Sequence, residues 1–173
     1  MTVSAVAADR RQLILGRLFD ILSNLTIGLT STTIVPGNIV HNRNELPAEK
    51  VPGLILLDAD EVWDPRTPDL GQRGTAQTPI GLVRMTPEVY VVLDTRKISD
   101  QTKGEDLNIA RAIIIGKVIT DATLKQIIGG NGQIKYDGCV TDLARNRVMQ
   151  GQMGLSFTFV YPFVPTEFAE STT

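Results

Sequence analysis

The chain has 173 residues, 42% of them hydrophobic, which suits one domain with a sizeable core, and no apolar run approaches the roughly 20 residues that a membrane-spanning helix needs. The 17 Lys and Arg residues and the 19 Asp and Glu residues are interspersed and give a net charge of -2, which argues against tight non-specific binding to nucleic acid. The single cysteine, Cys139, excludes an internal disulfide and a multi-thiolate metal site, and the single histidine, His41, excludes a multi-histidine metal site.

The first predicted element is an amphipathic helix over residues 8–25, in which apolar residues recur at helical spacing opposite a polar side. Extended structure follows over residues 32–41, where Pro36 and Gly37 predict a bend or a bulge. Residues 53–58 then predict a short buried strand, because four consecutive apolar residues lie within them.

The next segment, residues 60–79, is predicted to be a long loop. It contains three prolines, two glycines and few apolar residues. A structureless stretch of this length in a compact domain is usually either functional or disordered. Two interpretations stay open, a flexible hairpin tip and an arm that becomes ordered on a partner.

Residues 80–93 predict either two short strands or one kinked strand. Val89, Val91 and Leu93 alternate with residues of the opposite face, which is the period of a half-buried strand. Pro87 interrupts the run and cannot donate a ladder hydrogen bond, so we expect it at a sheet edge or at a bulge.

The second main helix is predicted from Thr102 to Thr120, with Thr102 and Glu105 at the spacing of a capping box. Its apolar residues occupy three faces, which is typical of a helix buried on more than one side. The sheet of the same domain can cover one side, so the first helix or a neighbouring subunit must cover the others. The three faces consist of Leu107, Ala110, Ile114 and Val118; of Ile109 and Ile113; and of Ile115 and Ile119.

A short third helix is predicted next, capped by Asp121 and ended by the glycines at 129–130. The glycine-rich run over residues 129–132 lies after a helix and before a strand, the reverse of a phosphate-binding loop, so we interpret it as a helix end and a turn. The dipeptide Asp137-Gly138 predicts a hairpin turn within residues 133–140.

The closing strand, over residues 151–163, holds most of the aromatic residues in a period-2 pattern. The order α-β-β-β-α-α-β-β predicts an α+β domain, a mixed and largely antiparallel sheet with two main helices packed on one face. The domain is predicted to cover residues 1–165 and to be followed by a flexible tail over residues 166–173. The strand's inward row is predicted to consist of Met153, Leu155, Phe157, Phe159, Tyr161 and Phe163.

The acidic residues after the buried strand are the best candidate for a metal site. Asp58, Asp60, Glu61 and Asp64 lack the glycine spacing of a calcium-binding loop, so a solvated acidic loop and weak divalent binding both stay open. A small metal-dependent hydrolase that uses Asp58 and Asp60 is the enzyme alternative.

Other catalytic groups are scarce. His41 has no G-x-S-x-G serine to activate, and Cys139 follows a predicted turn instead of opening a helix, so nothing in the sequence activates its thiol. We therefore predict a strand-end or loop histidine, no enzyme activity, no cofactor and no metal.

Several segments resemble a known family, and they occur in the family's order. They are RRQLILGRLFDIL, HNRNELP followed by VPGLILLDADE, MTPEVYV, the helix pair between Gly104 and Gly132, IKYDG and GQMGLSFTFVYPF. Together they resemble the tail terminator, or tail completion, proteins of long-tailed bacteriophages, the group that includes the lambda minor tail protein U. The loop over residues 60–79 and the tail after Pro165 have no part in the resemblance.

The resemblance implies a ring, usually a hexamer, at the head-proximal end of the tail in a virion assembled in the host cytoplasm. Such a ring caps the tail tube, stops its polymerisation and presents a surface to a head-completion protein, while DNA passes through the lumen without specific binding. The implied partners are further copies of the chain, the major tail protein and the head-completion protein, with no membrane. A head-completion or neck ring protein is the alternative in the same class.

Nine residues are predicted to contact partners. They are Ile109, Arg111, Ile113 and Lys117 of the second helix, Trp63, Arg66 and Arg73 of the long loop, and Arg145 and Arg147 of the connection before the last strand.

Overall fold

The computed structural model describes residues 9–64, 81–141 and 152–163, which form three helices, a small hairpin and a seven-stranded sheet. The predicted α+β class is confirmed. Several predictions lie outside the described residues: most of the loop over residues 60–79, the tail over residues 166–173, and the interface candidates Arg66, Arg73, Arg145 and Arg147.

Helix α1 spans Arg10–Ser23 and is two residues shorter at each end than predicted. The Asp9 carboxylate accepts a hydrogen bond from the Arg11 backbone amide at 3.0 Å, which satisfies one of the free amides of the first turn. The predicted apolar stripe is buried or half-buried, because the spacing of its residues turns them toward the core. Its fully buried members are Ile14, Leu15, Leu18 and Leu22.

A hairpin that the sequence pattern did not predict follows α1. Strands β1 (Ile27–Gly28) and β2 (Thr33–Ile34) pair antiparallel. A buried carboxylate, that of Asp106, holds the tip of the hairpin: it accepts hydrogen bonds from the Thr30 amide at 2.6 Å, from the Ser31 amide at 3.4 Å and from the Ser31 hydroxyl. These bonds replace the water that a buried carboxylate loses.

The main sheet has seven strands, and all pairings but one are antiparallel. The strands are β3 (Ile39–His41), β4 (Gly53–Leu57), β5 (Glu61–Trp63), β6 (Gly81–Met85), β7 (Glu88–Val92), β8 (Gln133–Thr141) and β9 (Gln152–Phe163). Their order is β3-β4-β7-β9-β6-β5, and β8 pairs with the other edge of β9. Among the strands of the described residues only β3 and β4 run parallel, so the predicted mixed and largely antiparallel sheet is confirmed.

Strands β6 and β7 together form one kinked strand. Both pair with β9 in a single register, from Gly81 opposite Phe163 to Val92 opposite Gln152. Pro87 lies between them, and its carbonyl accepts a hydrogen bond from the Phe157 amide at 3.1 Å. The prediction that Pro87 lies at an edge or a bulge is therefore wrong, because the unbroken register places it inside the sheet.

Strand β8 is one strand of nine residues, so the predicted hairpin turn at Asp137-Gly138 is wrong. The register with β9 shifts by one residue between Tyr136 and Gly138, which makes this dipeptide a β-bulge. Gly138 has φ 135, a conformation that side-chain-bearing residues rarely adopt. The preference for glycine at a positive φ therefore reflects a bulge at this position and not a turn.

Helix α2 spans Asp100–Thr120, and its predicted capping box is wrong. Ser99 is the N-cap: its side chain accepts a hydrogen bond from the Thr102 amide at 3.2 Å. Thr102 lies inside the first turn, where its hydroxyl contacts Ser99 Oγ at 2.9 Å.

Helix α3 (Ala122–Ile128) has both of its predicted ends. The Asp121 carboxylate caps it by accepting a hydrogen bond from the Leu124 amide at 2.7 Å, and Gly129 ends it with φ 77. The same carboxylate accepts hydrogen bonds from Arg17 of α1, from Nε at 3.1 Å and from Nη2 at 2.7 Å. The guanidinium lowers the pKa of Asp121, and the carboxylate raises the pKa of Arg17.

We expect Asp121→Ala to destabilise the protein by about 1–2 kcal/mol, since it removes the cap of α3. Asp121→Asn is the matched control, because asparagine can cap the helix but cannot pair with Arg17. Because the pKa of Asp121 is lowered in the folded state, the ion pair contributes fully to stability above the unfolded-state pKa of about 3.9. This contribution is lost as the pH falls through the folded-state pKa. Urea unfolding at several pH values should therefore show less acid sensitivity in Asp121→Asn than in the original chain. Equal acid sensitivity would contradict the ion-pair assignment.

The core lies between the three helices and one face of the sheet. It is one continuous cluster that joins α1, α2 and α3 to alternate residues of the strands. The predicted inward row of β9 is confirmed, except that Phe163 is only half-buried at the end of the strand. The residues of that row that are at most 4% exposed are Met153, Leu155, Phe157, Phe159 and Tyr161.

Candidate subunit interface

The inner face of α2 is buried, as its periodicity predicts. Ile113 and Ile115, which the sequence pattern assigns to two further faces, pack against the same core. The chain's own core therefore covers some of the apolar residues of α2 that lie outside its inner face. The fully buried apolar residues of the helix are Leu107, Ala110, Ile114 and Val118.

A narrower strip of α2, the outward strip, faces away from the core. Asn108, Ala112 and Gly116 are exposed along it, at the four-residue spacing of neighbours on one helix face. Ile109 borders the strip and is half-buried, and it is not among the residues packed against the core. The outward strip therefore consists of an asparagine and two small residues beside an isoleucine.

Arg111, a predicted interface residue, is engaged within the chain. Its Nε donates a hydrogen bond to the Tyr136 hydroxyl at 3.0 Å, and its guanidinium lies 5.5 Å from the centroid of the Tyr136 ring. The hydrogen bond raises the pKa of Arg111, and burial raises the pKa of Tyr136. These contacts tie α2 to β8. Lys117 is exposed on α2, and a partner contact for either residue stays a prediction.

Trp63 lies on strand β5, so the prediction of a loop from residue 60 onward is wrong at its start. All three residues of β5 are exposed, with Val62 at 45% and Trp63 at 57%. The indole ring makes an edge-on contact with the Phe163 ring, at 6.0 Å between centroids. Within the described residues β5 pairs with β6 alone, which makes it an edge strand that carries a large exposed aromatic side chain.

An open cleft of about 620 Å³ lies between the end of α3 and the start of β8. Ile119, Ile128 and Ile134 form its apolar lining, and the exposed side chain of Lys125 belongs to its rim. Gly132 allows the helix end to approach the sheet, since a Cβ atom there would lie 2.5 and 2.7 Å from two backbone carbonyl oxygens. The sequence pattern did not predict this cleft, because its walls come from three separate elements.

The single histidine ends strand β3, as predicted. His41 Nε2 lies 2.6 Å from Asp58 Oδ1, and Asn42 Nδ2 donates to Asp58 Oδ2 at 2.9 Å. Partial burial acts to raise the pKa of Asp58, but the hydrogen bonds from Asn42 and His41 and the charges of His41 and Arg11 lower it. This cluster fastens the end of β3 to the residue after β4.

The predicted acidic cluster does not converge on one point. Asp64 is buried and only 3% exposed, and its amide donates to the Leu82 carbonyl at 3.0 Å. Glu61 accepts a hydrogen bond from the buried Tyr161 hydroxyl, and burial together with this contact raises the pKa of Tyr161. Asp60 is exposed. In residues 9–64, 81–141 and 152–163, no three His, Cys, Asp or Glu residues are arranged to hold a metal ion.

His41 and Cys139, the two residues that a thiol–imidazole dyad would need, are not brought together. Cys139 is exposed on β8, and His41 ends β3 at the opposite side of the sheet. Three strands of the sheet, β4, β7 and β9, lie between β3 and β8.

Comparisons with known proteins add no family assignment. No model of a known protein family matches the sequence, and no curated protein matches it. Among the helices of the described residues, none combines the length and the hydropathy of a bilayer-spanning segment.

Proposed function

We propose that this protein is a structural, non-enzymatic subunit of a phage tail terminator ring, which caps the tail tube, stops its polymerisation and provides the surface for joining the head. The choice of this family rests on the resemblance of segments along most of the chain. The outward strip of α2 is the observation that carries self-assembly, since it leaves the small residues Ala112 and Gly116 exposed beside the half-buried Ile109, on a long helix whose inner face is already filled.

The two edges of the sheet support a ring in a second way. Strand β5 at one edge exposes Val62 and Trp63, and the other edge carries the apolar cleft beside β8. A closed ring uses heterologous contacts, in which two different surfaces of one subunit meet the complementary surfaces of its neighbours. A subunit with distinct apolar features at its two edges fits that kind of contact.

The test is to determine the assembly state of the purified protein, alone and with tail-tube protein. Light scattering and negative-stain imaging measure it. We expect rings, either free or at one end of tube assemblies, and tubes that stop growing when the protein is added. Binding to a portal or connector without any effect on tube length would favour a head-completion ring. A strict monomer at every protein and salt concentration, with tube protein present too, would overturn the proposal.

The α2 strip makes its own prediction. Ile109→Lys should weaken assembly at least tenfold while leaving the folded state intact, because a cation at a half-buried interface position loses its hydration without gaining a partner. Leu13→Lys, the same kind of change at a 40% exposed position of α1, is the matched control and should assemble normally. Sedimentation velocity measures both, and circular dichroism verifies folding. Normal assembly of Ile109→Lys would exclude this strip from the interface.

A further inference from the structure

The exposed indole of β5 and the cleft beside β8 occupy corresponding places at opposite edges of the sheet. Val62 pairs with Arg84, Arg84 pairs with Val160, and Val160 pairs with Gln133 at the cleft. The two features therefore lie in one row across the sheet, roughly 14 Å apart over three strand spacings of about 4.8 Å. Because β6 and β9 separate them, one chain cannot insert its own indole into its own cleft.

Both features also lie on the helix-covered face of the sheet. Trp63 pairs with Val83, which pairs with the buried Tyr161, so the three side chains share one face. Ile134 pairs with the buried Phe159 and shares the same face. A lateral repeat of the subunit would therefore bring an indole toward a cleft at the same level.

The chemistry of the two surfaces is complementary. The cleft has an apolar lining of three isoleucines, and a volume of about 620 Å³ leaves room for a large aromatic side chain. Asp60 and Glu61 are exposed next to Trp63, and Lys125 is exposed at the cleft. Within the described part of the chain Lys125 makes no ion pair, so it is available to an acidic neighbour.

We propose that Trp63 of one copy inserts into the cleft between α3 and β8 of the next copy, with Asp60 facing Lys125 across the contact. This inference rests on the proposed self-assembly and identifies its central contact. An aromatic anchor in an apolar pocket, with charges of opposite sign around it, is the arrangement that dominates many protein interfaces. Because indole and cleft lie on different surfaces, the contact is heterologous and propagates around a ring.

Trp63 is the only tryptophan in the chain, so tryptophan fluorescence reports on the surroundings of this side chain. We expect the emission to shift to shorter wavelength and to become protected from acrylamide as protein concentration rises through the assembly range. Trp63→Ala should raise the dissociation constant of assembly at least tenfold, since truncating a buried aromatic anchor removes a contact that dominates such interfaces.

A charge exchange tests the contact with substitutions at exposed positions. Lys125→Glu and Asp60→Lys should each weaken assembly, and the double variant should recover it, because the exchanged charges again attract each other. Arg96→Glu is the matched control: its side chain is 80% exposed after β7, beyond the sheet end at which Val92 pairs with Gln152. It should assemble normally.

The outcomes separate this inference from the proposed function. Rings that form with Trp63 still accessible to acrylamide, or with unchanged affinity in both Trp63→Ala and Lys125→Glu, would overturn the contact and leave the ring intact. A protein that stays monomeric up to millimolar concentration, with tube protein present too, would overturn both. Recovery in the charge-exchanged double variant supports the contact, and failure of recovery counts against the pairing of Asp60 with Lys125.

Discussion

Phe157→Ala is expected to lower the free energy of unfolding by about 3–5 kcal/mol, the usual cost of removing a buried aromatic side chain. Phe157 is fully buried at the middle of β9. Its ring lies 5.7 Å from the Tyr136 ring of β8, and its amide donates to Pro87 in the neighbouring strand. Neither neighbour can collapse into the space, because both belong to strands held by the sheet.

Phe163→Ala is the matched control, since it makes the same chemical change at a half-buried ring six residues farther along the same strand. We expect a clearly smaller loss there, because solvent already reaches part of that side chain. Urea unfolding followed by circular dichroism gives both values. A loss below about 1 kcal/mol for Phe157→Ala would mean that the inward row of β9 is not the centre of the core.

Gly53→Ala is expected to destabilise the protein by about 3 kcal/mol, the upper part of the usual cost of overpacking. A Cβ atom at Gly53 would lie 2.4 Å from the Asn38 carbonyl oxygen and 2.4 Å from the Lys50 carbonyl oxygen. Both atoms belong to the backbone, and the Leu54 amide also donates to the Asn38 carbonyl at 2.8 Å. Relief of the contact therefore requires the start of β4 to move away from β3.

Gly16→Ala makes the same substitution, and its effect on stability should have the opposite sign. Gly16 is exposed inside α1, and a Cβ atom there meets nothing within 4 Å. Alanine should stabilise the helix by about 1 kcal/mol, because it restricts the unfolded chain and favours the helical backbone. Thermal unfolding of the two variants separates the effects, and a destabilised Gly16→Ala would contradict the open position of this residue.

Elements with strong local signals were predicted well. Helix α1, helix α3 and strand β9 were each found from residues that are neighbours in the chain: an apolar stripe, an aspartate cap with a glycine end, and a period-2 row. Such signals work because caps and side-chain periodicity act within a few residues. They do not depend on what the element later packs against.

Elements whose form depends on distant strands were predicted badly. Asp137-Gly138 is as good a signal for a turn as for a bulge, and the length of β9 decides for the bulge by offering pairing partners on both sides of the dipeptide. Pro87 stands inside the sheet because β9 continues past it in one register. Asp106 resembles any polar residue of a helix until the β1–β2 hairpin folds over it.

The candidate interface divides in the same way. The sequence by itself determined that α2 carries more apolar residues than one face can hold, because helical periodicity alone assigns them to faces. Only the tertiary structure decided that Ile113 and Ile115 are covered by the chain's own core, and that Trp63 and the cleft at Lys125 lie at opposite edges of one row. Those relations depend on strand order and register, which are set by hydrogen bonds between segments far apart in the chain.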